Sequence, residues 1–234
     1  MVARSLRWQI ALVVGAVVAL SGCMSGIPRQ PSSSAPGGQN GPVTAMDVKP
    51  FPPKIDQQTG FVIGGRNSTK LIRSLASING ISIADLERQM RPGAEGKEGS
   101  TAGFLGKSES LLTVLAQDNA YVVDQLELTH QGLARPMLAI ANYARENNTS
   151  RVTWRGILFY VEIEETLGYQ YSPFRDGTKT SADVTIRNLR KGTTLTYSLL
   201  VPQMIERYGF YEGQGTKYRV EPRKIVEVFE LMKR

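Results

Sequence analysis

The chain has 234 residues, with 28 Lys and Arg against 21 Asp and Glu, a formal charge of +7, one Cys and one His. A lone cysteine excludes an internal disulfide framework, so the fold must rest on its core. A lone histidine, His130, supplies neither a metal ligand set nor, without an identifiable nucleophile and orienting carboxylate, a general base.

The N-terminus opens with Arg4 and Arg7, followed by the apolar run Ile10 to Leu20. Eleven apolar residues are too few to span a bilayer core and suit the h-region of a signal peptide. Leu20-Ser21-Gly22-Cys23 follows, and it resembles the lipobox of bacterial lipoproteins. That resemblance implies cleavage after residue 22 and acylation of the Cys23 sulfur, which fixes the mature protein to a membrane by lipid, palmitate included. Met24 stands where retained inner-membrane lipoproteins carry Asp, which implies an outer-membrane location with the folded part in the periplasm. For an exported protein, the basic charge points to solubility or attraction to anionic lipid and wall polymers, not to nucleic acid.

Residues 23–65 are rich in Pro, Ser, Gly and Gln, and are predicted to form a tether, with Phe61 to Gly65 as a short strand or sticky motif inside it. Residues 66–148 are predicted helical. Two short helices divide at Asn79-Gly80, Ser82 caps the second with Asp85 three residues on, and Pro92 stops it. A loop follows, and then apolar residues at helical spacing that are interrupted near Thr129 and strained by Gly132 and Pro136.

Residues 149–234 are predicted to form a small α+β domain with the order β-α-β-β-α-β-β. Arg151 to Gly156 favours strand. Ile157 to Gly168 places Phe159, Tyr160, Ile163 and Leu167 on one helical face, yet Val161 to Glu164 also alternates, so periodicity leaves both forms open. Ala182 to Asn188 is a strand. Lys191 to Gly209 is expected to be a helix that either begins at Pro202 or, the favoured form, kinks there after a first turn at Thr194 to Leu199, since an interior proline removes a backbone donor. Lys217 to Leu231 is expected to be a hairpin turning at Pro222.

Val152-Thr153-Trp154-Arg155-Gly156, Leu167 to Tyr171, Asp183 to Asn188, Thr193-Thr194-Leu195 and Val220 to Leu231, in that order, resemble the small N0-type domain of secretins. More closely, with the lipobox and tether, they resemble the DotD/TraH lipoproteins of type IVB secretion and conjugation systems. The resemblance implies a structural subunit of an outer-membrane core complex, acting in a large ring-shaped oligomer with a secretin-like partner. It implies docking through strand edges. The predicted edge is the final hairpin, where Lys217, Arg219, Arg223 and Lys224 would either steer an acidic partner or form a solvated basic turn.

No catalytic residues, cofactor or metal ligands are assigned. Gly106-Lys107-Ser108 lacks the upstream glycine of a phosphate-binding loop, that position being Thr101. Glu162, Glu164 and Glu165 fit a solvated face better than a glycosidase acid pair. Glu212 to Lys217 fits a loop, and Trp154 the core. The alternative function class is a solitary envelope lipoprotein that binds or trims peptidoglycan through residues 66–148.

Overall fold

The computed structural model describes residues 54–55, 62–63 and 68–232, all within one compact unit. The signal segment, Cys23 and most of the tether lie outside the described residues. The class is mixed α+β, as expected.

A two-residue ladder joins β1 (Lys54–Ile55) to β2 (Val62–Ile63). After α1 (Ser68–Ile72), β3 (Ser77–Ile78) and β4 (Ile81–Ser82) form a tight hairpin leading into α2 (Ile83–Met90). Asn79 and Gly80 have φ of 53° and 74°, the paired positive angles of a type I′ turn. The expected break between two helices is therefore a hairpin. The Asn79 amide donates to Phe174 O at 2.9 Å and to Tyr208 Oη at 3.0 Å, docking this turn on the C-terminal half. Ser82 caps α2 as predicted, accepting from Asp85 N at 3.1 Å.

The N-terminus of α3 (Leu111–Asn119) is satisfied from outside, Leu111 N donating to Glu87 Oε1 of α2 at 2.7 Å. The chain continues as a π-helical turn, Ala120–Gln125, and breaks at Glu127, whose φ is 53°. Then α4 (His130–Glu146) starts on Thr129, which accepts from Gly132 N at 3.0 Å. The interruption near Thr129 falls where the sequence places it.

A four-stranded antiparallel meander follows, ordered β5 (Arg151–Trp154), β6 (Ile157–Tyr171), β7 (Lys179–Asn188), β8 (Thr194–Ser198). Two helices, α5 (Leu200–Tyr208) and α6 (Pro222–Phe229), complete the described residues. This order, β-β-β-β-α-α, replaces the expected β-α-β-β-α-β-β, for three physical reasons. First, Ile157, Phe159 and Val161 are buried while Leu158, Tyr160, Glu162 and Glu164 are exposed, the period of a strand covered on one face. Second, Thr194 to Ser198 pairs with β7, and α5 begins only at Leu200. Pro202 therefore sits in the first turn, where a backbone N–H has no intrahelical acceptor, and no kink is needed. Third, Pro222 opens α6 instead of a hairpin turn. Ile225, Val228 and Phe229 are its buried stripe, spaced i, i+3, i+4.

Helices α4 and α6 pack against the sheet and α5 packs against α4, so one core serves both halves of the described chain. Tyr197 Oη of β8 donates to Met137 O of α4 at 2.9 Å, and the Phe159 and Phe229 rings lie 5.6 Å apart. Each fully buried side chain of this size contributes about 1.5–3 kcal/mol. Asn188, wholly buried, donates to Val228 O at 2.8 Å and accepts from Arg190 N and Lys191 N, locking the β7–β8 turn to the end of α6. The opposite sheet face is open. It presents Arg151, Thr153, Leu158, Tyr160, Glu162, Arg187, Thr194 and Thr196 to solvent.

Candidate interaction site

Polar chemistry collects in two places. One is a buried seam beneath the loop that joins α5 to α6. His130, the first residue of α4, is 2 % exposed. Its Nε2 lies 3.0 Å from Asn119 Oδ1, an acceptor only, so Nε2 carries the proton and Nδ1 accepts from Tyr211 Oη at 2.9 Å. The Asn119 amide in turn donates to Thr69 Oγ1 at 3.1 Å. Three segments thus meet on one neutral imidazole, with α1 joined to it through Asn119, and burial lowers its pKa to about 4. The ring is a structural pin.

The second part of the seam is ionic. Arg219 makes a bidentate contact with Asp118, Nη1 to Oδ2 at 2.7 Å and Nη2 to Oδ1 at 2.8 Å, with both side chains only 8 % exposed. Burial disfavours the Arg219 charge, but hydrogen bonds to Asp118 and Glu221 outweigh it and hold the proton above its ordinary range. Arg219 Nη1 also donates to Glu212 O at 2.6 Å. Glu212 is 1 % exposed and has φ of 67°. Burial pushes its carboxyl up to about 8, against the hydrogen bond that Thr216 Oγ1 donates at 2.9 Å. Glu109 straps this loop down, accepting from Gly106 N at 2.6 Å and Gln214 N at 2.8 Å. The Gly106 amide that a phosphate-binding loop would offer is taken by this carboxylate.

These contacts redraw the predicted steering patch. Lys217 to Leu231 is loop and helix, with no strand edge. Arg219 faces inward and is committed to Asp118 and Glu221. Lys217 is exposed, its Nζ 2.6 Å from Tyr218 Oη. Arg223 is exposed on α6, and Lys224 lies 3.2 Å from Glu227 on the same helix. Cys23 lies outside the described residues.

The other place is the outer half of β6. β5 covers β6 only from Ile157 to Tyr160, and Val161 N then donates to Ser150 O at 2.8 Å. Backbone groups alternate sides along a strand. The N–H and C=O of Ile163 and Glu165 therefore point where β5 has ended. On the β7 side, pairing lapses between Glu165 and Gln170, a bulge in which Gly168 has φ of 92°. Leu167, at the tip, is fully exposed at 107 %, and Tyr169 is 59 % exposed.

A groove of about 620 Å³ on one side of this segment includes Arg145, Glu165, Lys179 and Glu206 in its wall. A smaller one of about 340 Å³ includes Thr166, Leu167 and Tyr218. Lys179 Nζ sits 4.2 Å from the Tyr169 ring centroid and Lys97 Nζ 4.3 Å from that of Tyr171, which stiffens the C-terminal end of β6.

Sequence reasoning missed this segment because it placed Leu167 on a helix face. The signal that finds it is the run of β-compatible residues reaching past Glu165 to an aromatic pair around Gly168. Among the described residues, no three His, Cys, Asp or Glu side chains are grouped to hold a metal. No helix among them is long and apolar enough to cross a membrane.

No family model, curated protein or solved structure matches this chain.

Proposed function

We propose that the chain is an outer-membrane lipoprotein, anchored through Cys23, that works as a structural subunit of an envelope assembly by protein–protein contact. The single observation that carries the reading is the outer half of β6, with an edge left unpaired among the described residues and a fully exposed apolar tip at Leu167. Proteins usually blunt such an edge, because its free N–H and C=O groups template another strand. The finer assignment, a subunit of a type IVB secretion or conjugation core acting with a secretin-like partner, rests on the lipobox, the tether and the order of C-terminal motifs. The observed strand order is not the one that the resemblance implies, so the assignment to a particular machine stands on sequence alone. Affinity purification of the detergent-extracted full chain from its native membrane tests the proposal. The expected result is a high-mass assembly of defined composition. Recovery of the chain alone, still membrane-anchored, would count against it and favour the solitary peptidoglycan-linked alternative.

A further inference from the structure

We infer that β6, from Ile163 to Tyr169, takes an extended basic segment of another protein as an added strand, an inference that rests on the scaffold reading above and names the chemistry of its partner. The geometry supplies a vacancy of strand length. β5 ends opposite Tyr160, and beyond Val161 the edge is unpaired among the described residues up to the bulge that closes at Gln170. Strand addition draws affinity from main-chain hydrogen bonds and specificity from alternate side chains.

The side chains here are acidic: Glu162 and Glu164 stand on the open sheet face, and Glu165 follows at the edge, all exposed. Across the ladder Glu164 faces another acid, Asp183, while Arg151 and Arg187 flank Tyr160 one step along the open face; beside Glu165, Lys179 lies over the Tyr169 ring and Arg207 on Asp176. The stretch is thus a local acidic strip on a chain whose formal charge is +7. A strand bearing Lys or Arg at alternate positions would meet carboxylates, with its apolar positions beside Leu167 and Tyr169.

A second copy of the chain is the obvious competitor, and charge argues against it. A two-fold antiparallel pairing centred on Glu164 sets that residue against its own copy, and like charges directly opposite are destabilising. The tether of the same chain is the other competitor. It carries Arg29, Lys49 and Lys54 but also Asp47 and Asp56, and it is broken by prolines that cannot donate to a ladder.

The experiment uses the full chain in detergent and a blocked peptide alternating Lys and Val, about nine residues long. One control replaces Lys by Glu; another keeps every Lys and replaces two Val by Pro. The expected result is that the Lys–Val peptide binds about tenfold or more tighter than either control and slows amide exchange at Ile163 and Glu165. The double substitution Glu162→Lys, Glu164→Lys, both solvent-exposed, should abolish that preference. Equal binding of the Lys–Val and Lys–Pro peptides would reduce the effect to charge attraction and overturn the inference, as would unchanged exchange at Ile163 and Glu165. Binding that appears only after residues 24–53 are deleted would assign the edge to the chain's own tether and also overturn it. The scaffold reading fails separately: a chain that is recovered alone but binds the peptide loses the assembly and keeps the edge.

Discussion

Two buried titratable residues give the chain a defined response to pH. His130 has a folded pKa of about 4 against an ordinary 6.5, so its contribution is present above 6.5 and is lost as pH falls toward 4. Glu212 runs the other way. Its folded pKa of about 8 lies above the ordinary 4.5, so its contribution is complete below 4.5 and is lost as pH rises through 8. Between 4.5 and 6.5 the two slopes oppose, each about 1.4 kcal/mol per unit. Stability should therefore be nearly flat there and fall by about 2 kcal/mol from pH 6.5 to 8. Urea midpoints across pH 5 to 9 measure this, and Glu212→Gln should remove the alkaline fall. A wild-type curve that rises above pH 6.5 would contradict the assignment.

Gly209 is a second residue with a sharp requirement. It closes α5 with φ of 63°, and a Cβ there would meet His130 Nε2 at 2.8 Å. Gly215, with φ of 75°, has open space around its missing Cβ. Both glycines spare a left-handed penalty of about 1–2 kcal/mol, but only Gly209→Ala also displaces the imidazole. Its loss in chemical denaturation should exceed that of Gly215→Ala by about 1 kcal/mol or more. Equal losses would mean that the ring moves aside without cost.

The elements divide into those that local chemistry specifies and those that burial decides. The Ser82 cap, the break before α4 and the Gly209 stop were legible because each rests on one or two residues with a fixed backbone task. β6 was not, since Phe159, Tyr160, Ile163 and Leu167 also fit a helical stripe. Only the open sheet face, which leaves Tyr160 exposed, and the bulge, which carries Leu167 into solvent, select strand over helix. Pro202 and Pro222 were both placed in the wrong context. A proline marks a helix start as readily as a kink or a turn, and the partner of the preceding strand determines which.

The interaction segment was hidden for the same reason, and the basic patch was misjudged because charge in a sequence does not reveal burial. Arg219 illustrates it. Breaking its buried pair by Arg219→Ala should cost about 3–5 kcal/mol, because Asp118 is left without its counter-charge. The double replacement Asp118→Leu with Arg219→Met should recover most of that loss in a denaturation cycle. A loss below about 1 kcal/mol in the single variant would place the pair among weak surface bridges.

At the scale of the molecule, the helical half and the sheet share one core, and the C-terminal loop is strapped to the first half through Glu109 and Asp118. Among the described residues, one sheet face is covered by helices and the other is largely exposed, touched by the C-terminal loop where Tyr218 donates to Asp183. The projecting half of β6 extends the sheet beyond its neighbour β5. On the proposed reading, lipid at Cys23 would hold that surface near a membrane and leave docking to the exposed strand.

The most direct test of this account compares wild type with Leu167→Asp in sedimentation of detergent extracts from the native membrane. Leu167 makes no buried contact, so the variant should fold and anchor as wild type does. The account predicts that wild type sediments in a high-mass complex and that Leu167→Asp sediments as the free chain. Two identical profiles, whether both assembled or both free, would contradict the claim that the outer half of β6 joins the protein to its assembly.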